Sequence, residues 1–259
     1  KFKLNQMAKL YKSVLYTFVI LTVFSCSEDD PLPTPVVDFF LDPGVVEVGV
    51  PVMFDNLTLN ASRYEWDFGD GQIVTQTSPT VTFDTPGNVT VTLRAFTEDE
   101  QMVEITRDVP ILERVLTGYI VNIFPTQNGD LEWDDGAPAG EEFADIIVQL
   151  LPVDASNTDG LVDGIFTEVE QGPFGTAVDP NFNRIVLSDE DWTFVLFDFD
   201  GDDPNDLQPE DVEPIIGAQF NPLQALTFKN DDGDAGFVTV LLVDNDGNVL
   251  DVDLTFELQ

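Results

Sequence analysis

The chain of 259 residues has no histidine, one cysteine, and ten basic residues against 49 acidic ones. Each shortage removes a class of chemistry. Without an imidazole there is no Ser-His-Asp or Cys-His catalytic site, and zinc centres, which lean on histidine or clustered cysteine, lack their ligands. One cysteine permits no disulfide within the chain. A formal charge of -39 repels phosphate backbones, which are bound through Lys and Arg with release of counterions. Nucleic acid is excluded as a partner. What is present suffices for a core: 43% of the residues are apolar and 21 are Phe, in a length that suits one large or two ordinary domains.

Long apolar runs are scarce too. The one that stands out, Val14 to Phe24, is too short to span a bilayer comfortably, and it follows Lys1, Lys3, Lys9 and Lys12 in a stretch without acids. That order is expected of a secretory signal over residues 1–25, with Met7 a candidate start. The run ends in Leu21-Thr22-Val23-Phe24-Ser25-Cys26, which resembles the lipobox of bacterial lipoproteins. The resemblance implies cleavage before Cys26 and lipidation of that residue. An ordinary cleaved signal with an incidental cysteine is the alternative. Ser27-Glu28-Asp29-Asp30 is similar to the acidic tags that send some lipoproteins to the outer face of the outer membrane, which implies a lipid-anchored, surface-exposed protein.

Residues 26–35 then read as a tether, since Pro31-Leu32-Pro33-Thr34-Pro35 is an extended, helix-incompatible spacer. From Val36 onward, short stretches of Val, Thr, Ile and Phe alternate with Gly, Asn, Asp and Pro turns, and the expected class is all-β. Residues 36–112 form the first expected unit. Its strand candidates alternate apolar and polar positions, as in Arg63-Tyr64-Glu65-Trp66-Asp67-Phe68 and Asn88-Val89-Thr90-Val91-Thr92-Leu93. Tyr64-Glu65-Trp66-Asp67-Phe68-Gly69-Asp70-Gly71, with Phe83-Asp84-Thr85-Pro86-Gly87 further on, resembles the signature of PKD domains, which are immunoglobulin-like sandwiches. The resemblance implies a spacer or an interaction module. Trp66 could be a sugar-stacking platform, but strand alternation puts it on one face with Tyr64 and Phe68, as a core stripe requires.

Residues 113–259 carry 33 acids and three bases, Arg114, Arg184 and Lys229. Strand candidates at Tyr119–Phe124, Asp145–Leu150, Trp192–Phe197, Ile215–Phe220, Gly236–Val243 and Val249–Phe256, with no crossover helices, give a second antiparallel sandwich. Its order of features resembles a C2 domain: Trp133-Asp134-Asp135-Gly136, then Ala144-Asp145-Ile146, Asp179-Pro180-Asn181-Phe182-Asn183, and Phe197-Asp198-Phe199-Asp200 with Asp206 and Ile216-Gly217. The resemblance implies a Ca²⁺ site between loops, held by Asp134, Asp135, Asp145, Asp198, Asp200 and Asp206. Residue chemistry points the same way, because Ca²⁺ takes six to eight oxygens and Asp198 and Asp200 share a face at period two. The competing reading is a solvated acidic loop. An EF-hand does not fit, since Asp203 and Pro209 occupy the places of its Gly and Glu. Asp231-Asp232-Gly233-Asp234 and Asp244-Asn245-Asp246-Gly247 read as turns.

The expected function is therefore non-catalytic: a lipid-anchored cell-surface binding or adhesion protein whose calcium-stabilised second domain meets an extracellular glycan or protein. Phospholipid docking is disfavoured, because the loop Asp202 to Pro214 has no Lys or Arg. The alternatives are a glycan-binding accessory protein of a polysaccharide-utilisation system and a glycosidase built on a carboxylate pair, a chemistry that needs no histidine.

Overall fold

A computed structural model describes residues 33–128, 131–132, 144–154, 160–166, 173–178, 184–199 and 212–259. The first part of the chain supplies β1 (Phe39–Asp42), β2 (Val46–Glu47), β3 (Val52–Asn56), β4 (Arg63–Asp67), β5 (Ile73–Val74), β6 (Thr80–Val81), β7 (Gly87–Phe96) and β8 (Met102–Leu112). They pair as a three-stranded sheet, β1-β3-β6, and a five-stranded sheet, β2-β8-β7-β4-β5. Only β2 runs parallel to its neighbour, placing Glu47 opposite Leu112.

Alternation along these strands turns aromatic rings inward. Trp66 is fully buried, edge-on to Phe39 at 5.2 Å and to Phe54 at 5.9 Å, while Phe54 meets Phe68 at 4.9 Å. Such pairs add to the burial of the rings themselves. The indole Nε1 donates to the Gln76 carbonyl at 3.0 Å, so the one polar atom of the ring is satisfied inside. Trp66 is thus a core residue and no sugar platform. Gly69 and Gly71 both have φ near +80°, which the turn after β4 needs, and Asp67 Oδ1 and Asp70 Oδ1 accept the Gly69 and Gln72 N–H groups at 2.9 Å.

The second part supplies β9 (Arg114–Ile123), β10 (Gln127–Asn128), β11 (Leu131–Glu132), β12 (Ile146–Pro152), β13 (Leu161–Phe166), β14 (Phe174–Ala177), β15 (Trp192–Phe199), β16 (Val212–Phe220), β17 (Leu226–Lys229), β18 (Ala235–Val243) and β19 (Val249–Leu258). A four-stranded sheet, β13-β12-β15-β16, faces a five-stranded one, β14-β9-β19-β18-β17; β10 and β11 form a separate hairpin. Every pairing in these sheets is antiparallel. β19 shows why: Leu250, Val252, Leu254, Phe256 and Leu258 are buried, and Asp251, Asp253, Thr255 and Glu257 face outward. Trp192, Phe194 and Leu196 of β15 fill the same core from the opposite sheet, with Tyr119 edge-on to Phe194 at 6.2 Å.

The architecture is all-β, with two sandwiches and two hydrophobic cores. Several observed strands extend or add to the sequence expectation. β15 continues past Phe197 to Phe199, so Asp198 belongs to a strand, and β2, β5, β10, β11, β13, β14 and β17 lie outside the strand candidates of the sequence.

Candidate functional site

Of the residues expected to bind calcium, Asp134, Asp135, Asp200 and Asp206 lie outside the described residues, as does Cys26. The structure places the other two side by side. Asp145 directly precedes β12, and Asp198 stands opposite Ile146 in the neighbouring β15. The Asp145 N–H donates to Asp198 Oδ1 at 3.1 Å, and the Phe199 N–H donates to the Asp145 carbonyl at 2.9 Å. Asp198 is only 1% exposed. It continues the inward stripe of Trp192, Phe194 and Leu196, which ends here in a carboxylate. A charged group in that position is costly unless donors or a cation meet it.

The strand directions define two poles for the second sandwich. β9 starts, β12 ends, β15 starts and β16 ends at the pole next to the first sandwich, where the Pro222 carbonyl meets Arg114. Asp145 and Asp198 lie at the far pole, about 20 Å away at the usual rise per residue. The hairpin joining β18 to β19 lies there too. In it, Asp244 Oδ1 accepts the N–H groups of Asp246 (2.9 Å) and Asn248 (2.8 Å), and Asp244 Oδ2 accepts the Asn248 amide at 2.9 Å. Donation from the Asn248 side chain first, then from backbone N–H groups, holds the Asp244 carboxyl below the ordinary aspartate range. Both oxygens serve to close the turn. At the near pole Asn230 closes the β17–β18 turn in the same way, accepting the N–H groups of Asp234 and Ala235 at 3.2 and 3.3 Å.

The basic residues hold a surprise. All six that follow Cys26 are paired with carboxylates: Arg63 with Glu65 and Glu100, Arg94 with Glu104, Arg107 with Asp38, Arg114 and Lys229 with Glu47, and Arg184 with Glu113. The three from residues 113–259 all gather at the near pole, so the rest of that sandwich carries acids alone.

Sequence reasoning missed the centre of this arrangement. Glu47, 2% exposed, belongs to the first sandwich, and Arg114, 4% exposed, opens the second. Arg114 Nε and Nη2 donate to the two Glu47 oxygens at 2.7 and 3.3 Å, and Lys229 Nζ donates to Glu47 Oε2 at 2.8 Å. The guanidinium also donates to the Pro222 carbonyl and lies 4.4 Å from the centre of the Phe256 ring. The available signal was the rarity of Arg114 and Lys229 among so many acids, though nothing in the sequence shows that both share Glu47.

Among the described residues of the second sandwich, two surfaces are open to a ligand. A shallow groove of about 400 Å³ runs along β14 and β9, lined by Thr117, Gly118, Ile120, Pro173, Gly175 and Thr255 among others. Among the described residues its lining is apolar, hydroxyl-bearing or backbone, with no carboxylate. The outer face of the same five-stranded sheet carries Leu241 (65% exposed), Leu226 (62%), Val243, Phe228 and Ile120. They surround Asp251, opposite Leu241, and Asp253, opposite Ile120 and Thr239. Both Asp253 oxygens accept donors, from Thr239 Oγ1 at 2.7 Å and Asn122 Nδ2 at 3.0 Å.

A model of the PKD domain family matches residues 33–109, and these residues form a PKD domain. No curated protein matches the chain. Among solved structures, the PKD1 domain of Vibrio anguillarum Epp is similar at 25% identity over 30% of this chain and 94% of its own, with a TM-score of 0.27. The PKD1 domain of the Vibrio cholerae metalloprotease PrtV is similar at 28% identity over 30% and 98%, with a TM-score of 0.28. A carbohydrate-binding module described as belonging to the β-sandwich superfamily, and as promiscuous in specificity, aligns with 87% of this chain and 92% of its own at 11% identity, with a TM-score of 0.30.

Proposed function

We propose that the chain is a non-catalytic binding protein of the cell surface, anchored by a lipid on Cys26, and that its second sandwich meets an extracellular glycan or protein. The observation that carries this reading is the outer face of the five-stranded sheet. Large apolar side chains exposed together on one face are the mark of an interaction surface, since a protein that stays solitary keeps such patches small. The aliphatic groups suit the C–H faces of a sugar ring or an apolar side chain, and the carboxylates and hydroxyls between them suit hydroxyl or cationic donors. With every basic residue after Cys26 already paired, the favoured ligand is neutral or cationic. Calcium at the far pole completes the proposal. Its support is the buried Asp198 beside Asp145 where β15 ends.

Leu241→Asp, on the exposed face, should abolish retardation of the protein in polysaccharide gels or its capture of a surface protein while leaving its melting unchanged. Equal retention by wild type and variant would remove the face from the proposal. Cys26→Ser should move the protein from the membrane to the soluble fraction; continued membrane retention would count against the anchor.

A further inference from the structure

A spacer module on a chain is ordinarily joined by a few residues that let neighbouring domains swing, because interfaces within a chain are modest and polar. Here the connection has no slack. β8 ends at Leu112 and β9 begins at Arg114, leaving Glu113 alone between them. Its N–H donates to the Gln259 carbonyl at 2.9 Å, and its carbonyl accepts the Gln259 N–H at 3.0 Å. Glu113 is thus fixed to the second sandwich, while the preceding Leu112 is fixed to the first, its carbonyl accepting the Val48 N–H at 2.9 Å, so no free residue is left to absorb a hinge rotation.

The surfaces beside it are fitted to each other. Val45, from the first sandwich, packs against the core of the second. Gly49, at φ +77°, is so near Leu223 that a Cβ there would stand 2.8 Å from its Cδ1. At the centre, Glu47 receives Arg114 and Lys229, and Arg114 is further tied to the Pro222 carbonyl and the Phe256 ring. A buried carboxylate facing two cations contributes less to net stability than to geometry, because any swing would strip hydrogen bonds from Glu47 and Arg114, both of them buried, whereas Lys229 is a quarter exposed. Apolar contacts tolerate sliding, and a two-pronged Arg–carboxylate pair does not.

From this we infer that the PKD domain and the second sandwich form one rigid body, locked by Glu47, Arg114 and Lys229, which holds the far pole of the second sandwich in a fixed direction from the PKD domain. The PKD domain is then a fixed strut and not a hinged spacer. The inference is independent of what the exposed face or the far pole binds.

Replacing Cys26 with Ser leaves a background without cysteine, in which Thr75→Cys on the PKD domain and Asn245→Cys at the far pole place spin labels at two exposed positions. Pulsed dipolar spectroscopy on the otherwise full chain should give one narrow distance peak, and Glu47→Gln should lose it to a broad distribution while hydrogen exchange shows both cores intact. Should Glu47→Gln not fold, the charge-free combination Glu47→Leu, Arg114→Met and Lys229→Met keeps an apolar joint, and there too the narrow peak should be lost. A broad or two-peaked distribution in the unmutated joint would overturn the rigid body. A peak that stays narrow in a folded variant would overturn the role of the ion triad.

Discussion

Glu47 shows how burial changes the worth of a charge. On the surface an ion pair contributes about 0–1 kcal/mol, because water screens it and two long side chains must be held still. Arg94 and Glu104, both partly exposed, are such a pair. Removing one partner from a buried pair costs about 3–5 kcal/mol, since the remaining charge keeps its burial and loses its partner. Glu47→Ala strands two cations at once. It should therefore lower the unfolding free energy by about 3–5 kcal/mol, against less than about 1 kcal/mol for Glu104→Ala. Denaturant midpoints at unchanged slope measure both, and similar small losses would mean that solvent reaches Glu47 in solution. Trp66 and Asp198 make the complementary point. Both occupy inward positions at strand period two and both meet the backbone, the indole at the Gln76 carbonyl and Asp198 at the Asp145 N–H, yet Asp198 brings a carboxylate to the edge of an apolar core.

Among the elements, the hairpin between β18 and β19 is closed by its own acid. Asp244 spends both oxygens on Asp246 and Asn248. Its carboxyl sits below the ordinary aspartate value of 3.8, so the ionised form is favoured in the folded turn. A group depressed in this way stabilises the fold above its unfolded pKa, and that contribution is lost as pH falls through the folded value. The hairpin should thus be closed at neutral pH and should loosen only in acid below 3.8. The Asn248 amide resonance, followed by NMR during acidification, reports the opening, and Asp244→Asn should remove its titration. An Asn248 amide that does not move in that range would show the turn to be held by its backbone alone. Both Asp244 oxygens are thus spent on closing the turn in the sequence Asp244-Asn245-Asp246-Gly247.

Over the whole molecule the excess of acid decides how stability responds to the solution. Monovalent salt screens mutual repulsion among surface carboxylates and should stabilise both sandwiches. A bound calcium ion acts differently, because it binds the folded state and adds RT ln(1 + [Ca²⁺]/Kd), about 2.7 kcal/mol at a hundredfold excess over Kd. If Asp198 and Asp200 hold calcium with Asp145, the melting temperature in calcium should exceed that in sodium chloride of matched ionic strength. Asp198→Asn with Asp200→Asn should erase the difference. Because Asn retains an oxygen that can accept the Asp145 N–H, the variant should fold. Equal melting temperatures in the two salts would reduce the far pole to a solvated acidic surface.

Local patterns carried much of this protein. Period-two alternation dictates the strands wherever one face is buried, so Trp192 to Phe197 and Val249 to Phe256 are legible by themselves. Tyr64 to Gly71 marks the PKD domain, and the excess of acid is plain from composition. The strands the sequence does not reveal are short or interrupted by glycine: Val46–Glu47, Ile73–Val74, Gln127–Asn128, Leu131–Glu132, Leu161–Phe166, Phe174–Ala177 and Leu226–Lys229. They exist because a neighbour supplies their hydrogen bonds, and their own residues announce no period. The ion triad lies furthest from sequence. Glu47 is 67 residues from Arg114 and 182 from Lys229. Which carboxylate meets a given cation depends on strand pairing and on how one sandwich seats on the other, and both are settled by burial summed over the whole chain. Sequence alone established the class of the fold, the PKD signature and the shortage of cations. Tertiary structure alone determined that the few cations of the second sandwich are spent on the joint, because only packing can choose one carboxylate among so many and take it out of water.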